Sequence, residues 1–361
     1  MMNSLRIPDE MMVEIFLRLA NPADLVCASA ACVSFRRLIV DGSFIPRYRR
    51  LHAPPLLGFL ARRPHLRHPR FHSAAWPHPS APAAAAIALA GDFSFSFLPA
   101  PARDYEVRDS RGGRVLLIRA SLNNHSLVVC DPLYRRYLLL PPIPRNLAAF
   151  TEKSLKRKGP RLLETFLLPA GDDEEEETSF RVIWMAMYGI KLVTFIFSSR
   201  TGQWQAGPST LWSGMHVFSR HQYAYGCFFW LTNLKEMLLL DTRRMEFFCA
   251  AAPPGTKGSR GRCAFIYRYI GSRRNLGCFS VDSKTFQLDR VCCSGPDMTN
   301  TQTYSNYPPS LLSTPTVSSG PERSCTSGCS SSSRSRQCLG AILGSRFGIV
   351  PSGVISIPWQ Q

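Results

Sequence analysis

The sequence predicts a multidomain chain of α + all-β class: a short helical unit, then a β-propeller-like body, then a disordered C-terminal tail. Three observations predict it. The stretch IPDEMMVEIFLRL carries apolar residues at helical spacing. From Gly91 onward, short apolar-aromatic runs are bounded by Gly, Pro, Asp or Ser, the mark of strands and turns. After Pro296, Ser, Thr, Pro and Gly take over and periodicity fades. The expected units are 1–45 (helical), 46–90 (basic, Pro/Ala-rich linker), 91–295 (β-rich body) and 296–361 (low-complexity tail).

Pro8 suits the first turn of a helix, and Asp9 and Glu10 complement its dipole. Met12, Ile15, Phe16 and Leu19 then form one apolar face, and Ala20-Asn21-Pro22 ends it. Asn21 can cap a second helix, with Pro22 at its first position and Asp24 in its first turn. Leu25, Val26, Ala28, Val33, Phe35, Leu38 and Ile39 continue the apolar content until Asp41-Gly42. A unit of roughly 40 residues rarely buries enough surface to stand alone. This one has apolar residues on more faces than a three-helix core hides. The surplus either packs on the rest of the chain or docks on another protein.

IPDEMMVEIFLRLANPADLVCASAACVSFRRLI resembles an F-box. Ile7-Pro8-Asp9-Glu10 match its Leu-Pro-Asp-Glu opening, and Glu14-Ile15 and Arg18-Leu19 match its first helix. Pro22, Asp24 and Leu25 match its restart; Cys32, Phe35, Arg36 and Leu38 match its close. Ile7 replaces the usual Leu, Phe35 the usual Trp, Val33 a common basic residue, and the Ala20-Asn21 connection is slightly long. The resemblance implies a non-catalytic adaptor. Its helices would dock on the Skp-type subunit of a cullin ubiquitin ligase while the remainder holds a target protein. The implied contact residues are Ile7, Pro8, Asp9, Glu10, Ile15, Leu19, Pro22, Leu25, Val26, Cys32, Phe35, Leu38 and Ile39.

Residues 46–73 are basic and lack acidic side chains. Pro54 to Phe59 resembles the segment after the F-box in a plant family with an F-box-associated propeller-like region. His65, His68 and His72 have no cysteine or carboxylate nearby and read as part of a solvated linker, not a metal site. Ala83 to Leu89 forms more linker or a weak helix.

In the body, strands are expected at Phe93–Leu98, Val115–Ile118, Leu127–Cys130, Phe180–Met187, Leu192–Phe197, Tyr225–Leu231 and Met237–Leu240. VVCDPLYRRYLLLPP, FIFSSRTGQWQAGPS, LLLDTRRMEFFCAAAPP and CFSVDSKTFQLDRV share one plan of strand, polar turn and strand. Their turns begin at Asp131, Ser198, Asp241 and Asp282, and the last three recur at roughly 40 residues, the length of a four-stranded propeller blade. Gly-Gly before Val115 and Gly226 before its strand also resemble F-box-associated propellers. A generic β-sandwich is the alternative. The tail offers no sequence for a last blade, so the ring is expected to close incompletely. The helical unit, beyond a proline-rich bridge, is expected to be indifferent to that.

The remaining chemistry is sparse. Hydrophobic residues make up 45% of the 361, which excludes wholesale disorder. A net charge of +18 permits contact with nucleic acid or acidic proteins and establishes neither. A basic nucleic-acid-binding β protein is the alternative function, but the basic residues are not interleaved with stacking aromatics, and no specific nucleic acid partner is expected. A carbohydrate-binding propeller or an enzyme on that fold is a third. The 12 cysteines show no paired C-x-x-C spacing and read as reduced thiols. The runs Lys153–Arg161 and Asp172–Glu177 read as solvated loops. No P-loop, G-x-S-x-G, G-x-G-x-x-G or H-E-x-x-H occurs, so no catalysis, cofactor or metal is expected. No apolar run reaches the ~18 residues of a membrane span, and MMNSLRIPDE lacks a signal-peptide core. No membrane partner and a location in cytoplasm and/or nucleus are expected.

Overall fold

The computed structural model describes residues 7–52, 54–62, 69–121, 124–144, 146–147, 162–169, 179–212, 221–224, 226–231, 236–251, 265–266, 276–281, 288–294, 301–308 and 317. Four helices come first: α1 (Asp9–Leu17), α2 (Pro22–Ala31), α3 (Val33–Ile39) and α4 (Phe44–Leu51). Asp9 and Glu10 occupy the first turn of α1. The Asn21 side chain caps α2 by accepting from Ala23 N at 3.1 Å. Cys32 Sγ accepts from Phe35 N at 3.4 Å and caps α3. Two carbonyls at the end of α1 find partners in α4: Tyr48 Oη donates to Leu19 O (2.8 Å), and His52 Nε2 lies 2.7 Å from Leu17 O.

The β-rich body follows as five antiparallel sheets among the described residues. The first blade holds β1 (Leu56–Arg62) and β2 (Pro69–Ser73), with α5 (Ala81–Ala90) packed on it. The second is β3 (Tyr105–Arg111), β4 (Arg114–Ser121), β5 (Asn124–Asp131) and β6 (Arg136–Leu139). The third is β7 (Leu162–Leu167), β8 (Arg181–Tyr188), β9 (Lys191–Ser198) and β10 (Gln203–Ala206), with β11 (Thr210–Leu211) also on β9. The fourth is β12 (Gln222–Ala224), β13 (Cys227–Leu231), β14 (Glu236–Asp241) and β15 (Glu246–Ala251). The fifth is β16 (Phe265–Ile266), β17 (Leu276–Val281) and β18 (Leu288–Ser294). Finally β19 (Thr301–Ser305) returns to pair with β1, Phe59 opposite Thr303. No helix among the described residues is long and apolar enough to cross a membrane.

Strands here read as unbroken apolar runs because each middle blade is buried on both faces. In β4, Val115 and Leu117 enter the core shared with Leu57, Phe59 and Tyr304 of the first blade. Leu116 and Ile118 enter the core shared with Leu167, Val182 and Phe197 of the third. On β8, Ile183 and Met185 turn the other way, to Phe228, Trp230 and Leu240 of the fourth. Face-to-face stacking therefore leaves no room for polar alternation. Each such side chain contributes roughly 1.5–3 kcal/mol by leaving water.

Two of the repeated turns are capped by an aspartate, and the turn at Ser198 closes through its backbone, Gly202 N donating to Ser198 O at 2.9 Å. Asp131 Oδ1 accepts from Leu133 N (3.0 Å) and Tyr134 N (3.2 Å); Asp241 Oδ1 accepts from Arg243 N (2.8 Å) and Arg244 N (3.1 Å). Each turn ends on a residue with positive φ: Arg135 (55°), Gly202 (67°) and Met245 (54°). The fourth expected turn, at Asp282, lies outside the described residues, as do the runs 153–161 and 172–177.

Several expectations are corrected. Residues 46–90 are not a linker: α4 completes the helical core, and β1, β2 and α5 build the first blade. Pro54 and Pro55 precede β1 and Pro69 starts β2, Pro46 and Pro82 fall in the first turns of α4 and α5, and the basic residues sit beside an apolar run, Leu56 to Ala61. Phe93–Leu98 is not a strand. Asp92 accepts from Ser94 and Ser96, Phe95 has φ 57°, and the loop drops Phe93, Phe95 and Leu98 into the first core. The tail is not wholly apart from the fold either. Thr301–Ser305 is a strand, and Tyr304, Tyr307 and Val317 are buried. Nor is the helical unit indifferent to the body, since Tyr307 lies in its core.

At the meeting of blades two, three and four stands a buried ion triad. His221 Nδ1 is 3.2 Å from Glu164 of β7, and His221 Nε2 is 3.7 Å from Asp109 of β3. Asp109 Oδ2 also accepts from Leu167 N (2.8 Å), and Trp230 Nε1 donates to Glu164 (2.7 Å). Burial opposes the charge on His221, but hydrogen bonds and charge from both carboxylates outweigh it and push its pKa from 6.5 up to about 9. Burial likewise opposes the Asp109 charge, yet His221 holds that carboxyl below its ordinary value. A raised histidine stabilises fully below about 6.5 and loses that contribution as pH rises through about 9. Urea unfolding at pH 7 and pH 10 should therefore show a loss on the order of a few kcal/mol in the wild type. His221→Gln should be weaker at pH 7 and lose clearly less than the wild type across the same window, the remainder coming from buried thiols such as Cys130, whose ionisation burial opposes. Equal losses in both proteins would remove the triad from the account.

Candidate docking face

The helical unit has an inward and an outward side. Inward, Phe16, Leu17, Leu25, Ile39, Phe44 and Tyr48 form a core. Phe35 packs edge-on against Phe16, ring centres 5.2 Å apart. Burial, with the Asp24 charge, pushes the Tyr48 pKa up to about 12. Arg47 and Glu14 join α4 to α1 through a 2.8 Å ion pair at the surface.

Outward, an apolar stripe remains bare. Met11 (59% exposed) and Ile15 (46%) stand four residues apart on α1, and Ile7 (53%) lies just before its N-cap, Pro8. Val33 (82%) opens α3 and Val40 (65%) ends it. Asp9 and Glu10 of α1, Arg18 at its C-cap, and Arg36 and Arg37 of α3 are exposed as well. Exposed apolar side chains among charged ones are the composition of a protein-binding surface.

The sequence-predicted contact residues divide accordingly. Ile7, Pro8, Asp9, Glu10, Ile15 and Cys32 are exposed. Leu19, Val26, Phe35 and Leu38 are half-buried and packed on the unit's own core. Pro22, Leu25 and Ile39 are buried inside it. Sequence reasoning did not select Met11, Val33 or Val40. Met11 was findable, because it falls midway between Ile7 and Ile15 at helical spacing. Val33 and Val40 sit at helix ends, where spacing alone does not settle which way a side chain turns.

The body offers other clusters. The Asp109–His221–Glu164 triad holds carboxylates and an imidazole, the groups of acid–base chemistry, but its His221 and Asp109 side chains are each 6% exposed. They are spent on one another and on neighbouring strands. A cleft of about 410 Å³ lies beside β2, lined by Arg70, Phe71, Ala88, Asp92 and Phe93 among others. Among the described residues, no group of His, Cys, Asp and Glu is arranged to hold a metal ion. Cys27, Cys32, Cys130 and Cys227 are in no disulfide.

Residues 4–50 match the F-box-like family. No curated protein matches the chain. Among solved structures, similarity extends to TolB from Acinetobacter baumannii, at 10% identity over 74% of this chain and 61% of that one, with a TM-score of 0.33. The WD40 domain of SCAP from fission yeast is 11% identical over 54% of this chain and 43% of that one (TM-score 0.28). The Nup133 β-propeller domain from Vanderwaltozyma polyspora is 8% identical over 53% and 55% (TM-score 0.23). The chain thus spans under two thirds of the length of each. At such scores the likeness carries no argument; the strand pairing described above does.

The two sides of the unit should separate in mutagenesis. Leu25→Ala, which empties a fully buried site, should cost about 2–5 kcal/mol of stability. Ile15→Ala, on the bare stripe, should change stability by about 0.5 kcal/mol or less. Chemical denaturation of both variants checks this, and a large loss at Ile15 would place that side chain in the core instead.

Proposed function

We propose that this chain is the target-selecting subunit of a Skp–cullin–F-box ubiquitin ligase. The N-terminal helices dock on a Skp-type adaptor, and through it on a cullin. The β-rich body holds a target protein for ubiquitination, and the chain itself performs no catalysis. One observation carries the reading: the bare apolar stripe of Ile7, Met11 and Ile15, with Val33 and Val40, lies within the stretch that matches the F-box-like family. Water-exposed apolar side chains in a row have no use in the isolated molecule, and a helix-lined partner surface would cover them. Pro8, Asp9, Glu10 and Cys32 flank that surface. Leu19, Pro22, Leu25, Val26, Phe35, Leu38 and Ile39 support it from beneath. The reading places the protein's work in cytoplasm and/or nucleus.

The competing reading, a basic nucleic-acid-binding protein, draws on the charge of +18 and on the Arg/His-rich stretch 46–73. It predicts tight, sequence-selective binding at physiological salt. The adaptor reading predicts at most weak binding that vanishes steeply with salt.

Met11→Asp with Ile15→Asp puts two charges into the apolar contact without disturbing the core. Each buried, unpaired charge opposes binding strongly. Capture of a purified Skp-type adaptor by the full chain should fall by about 100-fold or more. The melting temperature should be unchanged. Undiminished capture by the folded double variant would refute this docking face.

A further inference from the structure

The segment that follows β19 belongs to the body by sequence, yet it finishes the helical unit. β19 closes the first blade by pairing with β1, with Leu56 opposite Ser305. Gly113 N donates to Ser305 O at 3.0 Å, which ties the same strand to the β3–β4 turn of the second blade. Asn306 N donates to Pro55 O at 3.3 Å. Its side chain lies under Gly113 (φ 80°), where an added Cβ would stand 2.5 Å from Asn306 Nδ2. The next residue, Tyr307, is 7% exposed and joins the core of Phe16, Leu17, Leu25, Ile39, Phe44 and Tyr48. Its ring meets Tyr48 edge-on at 6.4 Å, its hydroxyl donates to His52 O, and Arg49 sits 5.4 Å over its face.

Helices α1 to α3 are short, and their one dry core borrows Tyr48 from α4 and Tyr307 from a site 255 residues beyond His52. A contact that distant in sequence carries a loop-closure cost that ordering of the strands between removes. A small helical unit without it is marginal.

We propose that residues 301–307 are a latch: Tyr307 reaches the helical core only when β19 has closed the body, so the docking helices are held in shape only on a completed body. Resting on the function proposed above, this gives the latch a regulatory sense. A chain whose body is unfinished or opened presents weakened helices and recruits the ligase poorly. The apparent affinity for adaptor falls by the fraction of molecules whose helices are in order.

The test is amide hydrogen exchange on the full chain without any adaptor, so its outcome does not depend on the proposed function. Tyr307→Ala should speed exchange in α1 and α2 by about tenfold or more and leave β4, β5, β8 and β9 unchanged. Tyr307→Phe keeps the ring, loses only the hydroxyl bond to His52, and should fall between. Gln302→Pro, which breaks the β19–β1 pairing, should speed exchange in β1 and in α1 and α2 together. Unchanged α1 and α2 in Gln302→Pro or Tyr307→Ala would overturn the latch. So would opening of β4 and β8 in Tyr307→Ala, because the body would then depend on the helices and not the reverse. Adaptor capture by the same variants is a separate readout. If wild type captures none, the functional reading fails while the exchange result stands.

Discussion

The antiparallel pairing of β19 with β1 is the constraint on which the rest of the fold depends. Without it, β1 would present an open edge, and the first blade would be a two-stranded ribbon, which is marginal in water. Tyr304 would leave the core that it shares with Phe59, Phe93 and Val115. The rings of Phe71 and Phe93, stacked at 4.2 Å, would lose their edge-on partner. The pairing joins the start of the body to a segment beyond the fifth blade, and β18 comes close to β2. Blades that bury both faces need a neighbour on each side, and closure supplies the last pair of neighbours.

The same economy shapes the middle of the body. Apolar side chains face outward from both sides of β4 and β8, so polar groups survive only where they find one another. The Asp109–His221–Glu164 triad is that exception. It links three successive blades by charge where the packed faces link them by area. Removing one member of such a buried set leaves uncompensated charge, so a single substitution there is costly even where the intact set adds little. At the front of the chain the balance differs. The helices bury one side against Tyr48 and Tyr307 and leave Ile7, Met11 and Ile15 in water. That asymmetry separates the face proposed for a partner from the core that holds the unit together.

Local chemistry was legible in the sequence, and distant pairing was not. The Asn21 cap, the Pro22 start, the apolar runs at Val115–Ile118 and Leu192–Phe197, and the Asp-capped turns at 131 and 241 all follow from residues a few positions apart. Several elements escaped. β1 and β2 lie in a basic, proline-rich stretch, and their strand character appears only once β19 and each other are present. Phe93–Leu98 has a strand's composition, but the hydrogen bonds of Asp92 to Ser94 and Ser96 fold it into a loop. β19, in TQTYS, has weak local signal within a Ser/Thr-rich segment, and its partner lies far away in the chain. The docking face was half legible for a related reason. A resemblance marks which positions matter, but not which of them face water. Leu25 and Ile39 turned inward, and Met11, Val33 and Val40 remained outside.

The central claim is that the bare stripe on α1, with the ends of α3, is where a Skp-type adaptor sits. The most direct measurement is the hydrogen-exchange footprint of that adaptor on the full chain. The account predicts slowed exchange along α1 and α3 when adaptor is added, with β4, β5, β8 and β9 unchanged. Protection confined to the strands of the body, or no protection anywhere at saturating adaptor, would contradict it.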